Sequence, residues 1–329
     1  MLWNRGSNMA SRRPRRIKYS LELTGMFPYE GLRRVAQTSG GKKQLDRWSR
    51  LREFLKLGLN VHQDIKVGLL RLLGVIDFPV PPNSNMRKTS ARTIKQYVKS
   101  SLTTYSPIIT MARFYGVKFD SSTKALDFGC GVGRQLMPLT RHFPNAQYFA
   151  VDVDPSSVEF IRKSYPGVIA EVNGFMPPLR FADNEMDLIY SVSTFSHFDV
   201  VTQSAWLREL FRITKPGGLV LPTIEGSRAL AKIANETVMG NDELKETLRK
   251  DGVFYKEYAW LKELQKRGPA LTANVDIASF LGDSYGNTIM TPEFIYRNWS
   301  AAGFEVLGIS EGVIDERQDL VVLRRPVNS

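Results

Sequence analysis

Ala125-Leu-Asp-Phe-Gly-Cys-Gly-Val-Gly-Arg134 runs from a short apolar stretch into three glycines at alternate positions and then into an amphipathic segment. The pattern reads as a strand, a tight turn and the start of a helix. Gly129, Gly131 and Gly133 have no Cβ, so such a turn reaches positive φ and lets a ligand lie against bare backbone. The N–H groups of the coming helix then point at that ligand. The spacing is Gly-x-Gly-x-Gly, and the Gly-x-Gly-x-x-Gly that seats a dinucleotide pyrophosphate is absent, which argues against a nicotinamide oxidoreductase. Asp127 stands just before the glycines. A second acid, Asp152, closes the apolar run in Tyr148-Phe-Ala-Val-Asp-Val-Asp-Pro155. An acid at the end of the next strand is placed to accept from both hydroxyls of a ribose.

With those two segments the chain resembles the class I S-adenosylmethionine-dependent methyltransferases, and further segments follow in that family's order. Glu171-Val-Asn-Gly-Phe-Met-Pro-Pro-Leu179 is similar to the third segment, and Phe181-Ala-Asp-Asn-Glu-Met-Asp-Leu-Ile-Tyr-Ser-Val-Ser193 to the fourth-strand segment. Leu207-Arg-Glu-Leu-Phe-Arg-Ile-Thr-Lys-Pro-Gly-Gly-Leu-Val-Leu221 is similar to the helix, Lys-Pro-Gly-Gly turn and fifth strand. The resemblance runs from about Tyr105 to Gly226. It implies S-adenosyl-L-methionine as cofactor, held by Asp127, Gly129, Cys130, Gly131, Gly133, Asp152, Val153, Asn173, Gly174, Phe175, Ser191 and Ser193, with Asn173 near the adenine. Arg87, Lys95 and Tyr105, in the segment before the first strand, are candidates for the cofactor carboxylate.

The fold class is α/β. Strands are expected near 125–128, 147–151, 168–172, 187–192 and 218–222 with helices between them, an alternation that builds a mostly parallel sheet covered on both faces. Phe304–Ile309 and Asp319–Arg324 supply two more strands, close enough to pair as a hairpin. By resemblance these complete a seven-stranded Rossmann-like sheet whose last strand is antiparallel. Two short helices, Thr93–Lys99 and Ile108–Tyr115, precede the first strand. An insertion, 227–299, separates the fifth and sixth strands and carries a charged helical stretch from Asn241 to Arg267. An excursion of this length is expected to be a lid or acceptor-binding element.

Charge is unevenly distributed. The first 100 of the 329 residues hold 21 Lys and Arg against 6 Asp and Glu, whereas the whole chain carries +12. Residues 1–41 read as a basic, flexible leader. Ser11-Arg-Arg-Pro-Arg-Arg-Ile-Lys18 has the arginines of a twin-arginine export signal without the apolar stretch that should follow, and the acid-free first twenty residues also fit a mitochondrial presequence. Residues 42–82 read as a basic amphipathic helical extension, with Leu45, Trp48, Leu51, Leu55 and Leu59 at helical spacing, and Pro79-Val-Pro-Pro82 as the linker into the methyltransferase domain, 83–329. Such an extension suits an anionic membrane surface or RNA, and equally an ordinary helical appendage with a solvated face. Cys130 is the only cysteine, which excludes an internal disulfide and points to a reducing, cytoplasmic setting. No metal site is expected, since the acids are not clustered and Cys/His ligand spacing is missing.

Methyl transfer to a hydroxyl needs alignment, exclusion of water and a group to take the proton. His197, in Ser191-Val-Ser-Thr-Phe-Ser-His-Phe-Asp199, follows the fourth strand at the edge where ligands of such sheets bind, and is the first candidate base. Glu225, beyond the fifth strand, is the second. Asp199 is the third, although its position equally fits an N-cap. The acceptor is expected to be a hydroxyl or amine of a small molecule or a glycan. The tail around Tyr285-Gly-Asn-Thr288 and Glu316–Pro326 loosely resembles methyltransferases of surface-glycan biosynthesis. Two alternatives stand beside this. An RNA methyltransferase would use the basic N-terminal region, but Ser191-Val-Ser-Thr194 replaces the Asn/Asp-Pro-Pro-Tyr/Phe signature of amino-directed nucleic-acid enzymes. The other is a non-catalytic S-adenosylmethionine-binding protein.

Overall fold

The computed structural model describes residues 78–82, 85–86, 91, 93–226, 228, 241–257 and 286–328. The expected leader and nearly all of the basic extension lie outside these residues. Within them the order is α1 (Ile94–Phe114), β1 (Lys124–Phe128), α2 (Leu136–His142), β2 (Gln147–Asp152), α3 (Pro155–Ser164), β3 (Val168–Val172), β4 (Met186–Ser191), α4 (Val200–Ile213) and β5 (Thr214–Ile224). Then follow α5 (Asn241–Asp251), β6 (Val253–Glu257), β7 (Gly286–Met290), α6 (Pro292–Asn298), β8 (Glu305–Ile314) and β9 (Gln318–Arg324).

Seven strands form one sheet in the order β3-β2-β1-β4-β5-β9-β8, with β9 antiparallel to both of its neighbours. This is the expected Rossmann-like sheet. Strand order reverses at β1, which pairs in parallel with β2 on one side and β4 on the other. A crevice at such a switch point, outside the carboxyl ends of the strands, is where doubly wound sheets bind ligands.

Alternation along the strands divides the core in two. Ala125, Tyr148, Ala150, Leu188, Tyr190, Leu219 and Leu221 face α1, α2 and α3. Leu126, Phe128, Phe149, Val151, Ile189 and Val220 face Trp206, Leu207, Leu210 and Ile213 of α4 and Phe294, Ile295 and Trp299 at α6. Successive strand residues point to opposite faces, so a strand buried on both sides must be apolar throughout, and β1, β2 and β4 are nearly so. Helix starts are locally encoded. Asp154 and Asp199 accept from Ser156 and Thr202 N–H, and proline opens α3 and α6 in the first turn, where its missing donor costs nothing.

Two expectations need correction. The segment before β1 is a single helix, Ile94–Phe114, with Pro107 inside it. Ile94, Tyr97, Ile108, Ile109, Met111 and Ala112 are all buried on the sheet, and this continuous apolar face outweighs the backbone bond that proline removes. The charged stretch from Asn241 is helical only to Asp251. Gly252 follows at φ +73° and the chain turns into β6; a Cβ there would meet Thr291 and Phe294 at 3.0 Å. The β-forming Val253-Phe254-Tyr255 pairs antiparallel with β7 to give a separate two-stranded sheet inside the insertion. Residues 258–267 lie outside the described part. Among the described residues no helix is long and apolar enough to cross a membrane.

Candidate functional site

At the carboxyl ends of β1 and β2 the glycine turn is tied to the neighbouring strand. Gly129 and Cys130 N–H both donate to the Val151 carbonyl, at 2.9 and 3.0 Å. Gly131 N–H donates to Asp152 Oδ2 at 2.7 Å, and Asp154 N–H to Asp152 Oδ1 at 2.8 Å. These turn amides brace the turn against β2 and orient Asp152. A carboxylate accepts at about four lone-pair sites, so two backbone bonds leave Asp152 compatible with a diol contact.

Gly129, Gly131 and Gly133 take φ of +76°, +49° and +72°. At Gly129 the demand is also steric, and the neighbour is protein. A Cβ would stand 2.2 Å from Thr194 Oγ1, in the loop after β4. Cys130 is buried between the glycines, and burial, then the Asp152 and Asp127 charges, push its thiol up. It is a neutral filler.

Asp127 is 1% exposed, and the polar side chain that faces its carboxyl is the buried Tyr190 hydroxyl. Burial, then the neighbouring Asp152 carboxylate, holds its own carboxyl well above the usual range, against the pull of the Arg134 guanidinium. Two carboxyls thus sit together at the switch point, one of them buried. A buried carboxyl beside a second one favours a positively charged partner.

The other expected cofactor residues are spread along the same edge. Val153 is half-buried just past β2. The Asn173 N–H donates to the Asp152 carbonyl at 3.1 Å, its Nδ2 donates to the Gly174 carbonyl at 2.7 Å, and its buried Oδ1 has no partner. The Phe175 ring packs edge-on against Phe198, while its carbonyl accepts from Trp206 Nε1 at 3.0 Å. Ser191 ends β4, fully buried with an unpartnered hydroxyl. Ser193, at φ +59°, is tied to the sheet: its N–H donates to Thr223 Oγ1 and its hydroxyl to Gln318 Oε1.

Of the cofactor-carboxylate candidates, Arg87 lies outside the described residues, Lys95 is exposed and Tyr105 is bonded to His142 Nδ1 at 2.8 Å. The α1 residues that reach the turn are Tyr97, which donates to the Val132 carbonyl at 3.2 Å, Ser101, which donates to the Arg134 carbonyl, and Thr104, which accepts from Gln135 Nε2. They fall at helical spacing on one face. That periodicity was the readable signal, masked by the polar character of Ser101 and Thr104.

Beyond β4 and β5 a second cluster forms. Phe195–His197 is one 3₁₀ turn, and His197 Nδ1 donates to the Gly286 carbonyl at 2.8 Å, a contact between residues 89 apart. This bond fixes the tautomer and leaves Nε2 as the acceptor nitrogen. Burial lowers the His197 pKa, so the imidazole is neutral at neutral pH; the Gly286 carbonyl, Glu225 and the Asn287 side chain oppose that shift, and Arg317 reinforces it. Glu225 is nearly buried and ion-paired with Arg317, a residue from the tight turn between β8 and β9. Its carbonyl accepts from Met290 N–H at 3.0 Å, so β7 of the insertion is stitched to the end of β5. Asp199 caps α4 at 2.7 Å from Thr202 N–H. Arg317 was not singled out from sequence, since nothing local to the turn marks it. Among the described residues no group of three or more His, Cys, Asp or Glu is placed to hold a metal ion.

Residues 125–218 match the family model described as a methyltransferase domain. Over 147 residues the chain is 28% identical to a malonyl-[acyl-carrier protein] O-methyltransferase of Dechloromonas aromatica (strain RCB), a match spanning 43% of this chain and 53% of that protein. It is 31% identical over 104 residues to a fatty-acid O-methyltransferase of Mycolicibacterium smegmatis, spanning 30% of this chain and 36% of that one. A solved methyltransferase structure from Methanosarcina mazei aligns at 14% identity and TM-score 0.47, over 66% of this chain and 97% of the other. The chain spans about a quarter to a half of the length of the curated relatives it matches.

Proposed function

We propose that this chain, whose residues 125–218 are a methyltransferase domain, is a class I S-adenosylmethionine-dependent methyltransferase acting on an oxygen or amine of a small-molecule or glycan acceptor. The observation that carries the reading is the carboxyl pair Asp127 and Asp152 at the β1–β2 edge, with Asp127 buried. Two adjacent carboxyls favour a cationic ligand, which offsets the burial and the repulsion that raise the Asp127 pKa. S-adenosylmethionine has both an ammonium and a sulfonium charge, and a ribose diol that suits Asp152. When bound, it supplies the methyl group and its own leaving group.

The chain's own residues supply the rest. Asp152 orients the nucleoside through its ribose, and Asp127 meets the positive end of the ligand. Asn173 Oδ1 and the Ser191 hydroxyl, both buried without partners, are further polar contacts for the same ligand. The aromatic wall of Phe195, Phe198 and Trp206 limits water behind the edge. His197, neutral and fixed through Nδ1, takes the proton of an acceptor hydroxyl at Nε2 as the oxygen attacks the methyl carbon. Glu225 is held by Arg317, which leaves His197 as the better base.

A second reading rests on the relatives named above, a malonyl-[acyl-carrier protein] and a fatty-acid O-methyltransferase. An acyl carboxylate is already ionised at neutral pH and needs no base. Titration calorimetry with S-adenosylmethionine and S-adenosylhomocysteine, with NADH as control, tests the cofactor. Micromolar binding of the first two supports the reading, and their failure to bind a folded protein overturns it. Labelled methyl donor offered with hydroxyl, amine and carboxylate acceptors, to wild type and His197→Ala, then separates the acceptor classes. A carboxylate acceptor is methylated equally by both proteins, and a hydroxyl acceptor by wild type alone.

A further inference from the structure

Two side chains from distant parts of the chain, Glu225 and Arg317, meet at the acceptor edge, and His197 is held on β7, the same strand that Glu225 is bonded to. His197 comes from the turn after β4, Glu225 from the end of β5, and Arg317 from the β8–β9 turn, 92 residues beyond Glu225. Glu225 cannot swing away. Its backbone is bridged in parallel to Ile289, its carbonyl accepts from Met290, and its side chain is 8% exposed. Arg317 is 50% exposed and its guanidinium closes on Glu225 Oε1. A carboxylate alone beside an imidazole favours the imidazolium, whereas a carboxylate bound to a guanidinium presents a nearly neutral pair.

We infer that Arg317 is a positioning residue for His197: by holding the Glu225 carboxylate in an ion pair and bringing its own positive charge to the same edge, it keeps the imidazole in the proton-accepting form the acceptor edge requires. The inference rests on His197 as the base. The charged and polar groups facing His197 are Glu225 from β5, Arg317 from the β8–β9 turn, and the Gly286 carbonyl and Asn287 side chain from β7. Of these only Glu225 can draw a proton onto the ring by charge, and Arg317 is the group that holds it back.

The test reads the ring itself. The chain has three histidines, so the histidine ring resonances of the full-length protein titrate as three resolvable curves, with His197→Ala identifying its own. Arg317→Met should raise the His197 midpoint by about one pH unit. Arg317→Lys, which keeps the charge, should hold it near wild type, and Glu225→Gln combined with Arg317→Met should bring it back down. His142, bonded to Tyr105 on another part of the surface, should not move and reports that the fold is intact. An Arg317→Met midpoint that stays put or falls overturns the inference. Because Arg317 is half exposed, its two variants carry the test even where the Glu225 substitution fails to fold. The midpoint is read with no acceptor present. A shifted midpoint together with full turnover of a hydroxyl acceptor by His197→Ala would therefore retire the base and leave the Arg317–Glu225 coupling standing.

Discussion

The proposed cofactor half of the site and the proposed acceptor half are built differently although they share one sheet edge. On the cofactor side, Asp127, the glycine turn and Asp152 lie within a single β-α-β passage. The bonds that shape them, from Gly129 and Cys130 to Val151 and from Gly131 to Asp152, join adjacent strands. On the acceptor side, His197, Glu225 and Arg317 come from three separate connections, and contacts between residues 89 and 92 apart bring them together. The first half is a local solution to holding a ligand against backbone. The second depends on the insertion and the last hairpin both docking correctly. Changes on the cofactor side should therefore act on binding and folding, and changes on the acceptor side on turnover alone.

The largest effect expected is on the acceptor side. His197→Ala should lower turnover of a hydroxyl acceptor by about 10²- to 10⁴-fold, with cofactor affinity unchanged in calorimetry. A parallel loss of cofactor binding would erase the division between the halves. Next comes Gly129→Ala. It forces a Cβ to within 2.2 Å of Thr194 Oγ1 at a φ of +76°, and the strain and overpacking together should cost roughly 2 to 4 kcal/mol. Since Gly129 belongs to the cofactor half yet presses on the β4 loop that leads to His197, this variant should lose thermal stability and cofactor binding together. A melting temperature equal to wild type would mean that the loop yields freely.

Asp152→Ala ranks third. It removes the ribose contact and strips Gly131 and Asp154 N–H of their acceptor, for a loss of about 1.5 to 3 kcal/mol in cofactor binding. Cofactor affinity equal to wild type would move the ribose site elsewhere.

What the sequence made readable follows the same division. Asp127, the glycines and Asp152 could be singled out because they are closely spaced, the alternation of apolar strands and helices gave the mostly parallel sheet, and the family resemblance gave the seven strands with an antiparallel last one. That Val151 and Asp152 would take the amides of Gly129, Cys130 and Gly131 was not legible, because spacing does not name their acceptors. Pro107 suggests a break that the buried face of α1 overrides, and Gly252 hides a strand behind a run of charges. His197 and Glu225 could be named by their place after β4 and β5. Arg317 could not, because its role arises from a partner on another strand, and a lone arginine in a hairpin turn looks the same whether or not a buried carboxylate awaits it.

The smallest effect expected concerns protons, and it probes the cofactor half at its buried carboxyl. Burial and Asp152 raise the Asp127 pKa above its unfolded value. For an acid this means that the stability contributed by the neutral carboxyl is fully present below the unfolded value, near 3.9, and is lost as pH rises through the folded one. A cationic ligand reverses the preference, since it binds best to the ionised carboxylate. Cofactor affinity should accordingly weaken as pH falls through the raised Asp127 pKa, by up to about tenfold per pH unit, and binding at a pH below that raised value should release a proton. Calorimetry in two buffers of different ionisation heat reads that proton directly. Asp127→Asn should remove both the proton release and the pH slope. It should also stabilise the ligand-free protein above the unfolded carboxyl value, because the fold then no longer has to bury a group that ionises more readily in the unfolded chain. An Asn variant that keeps the slope would mean that the proton belongs to another group, and that Asp127 stays neutral beneath the glycine turn with or without ligand.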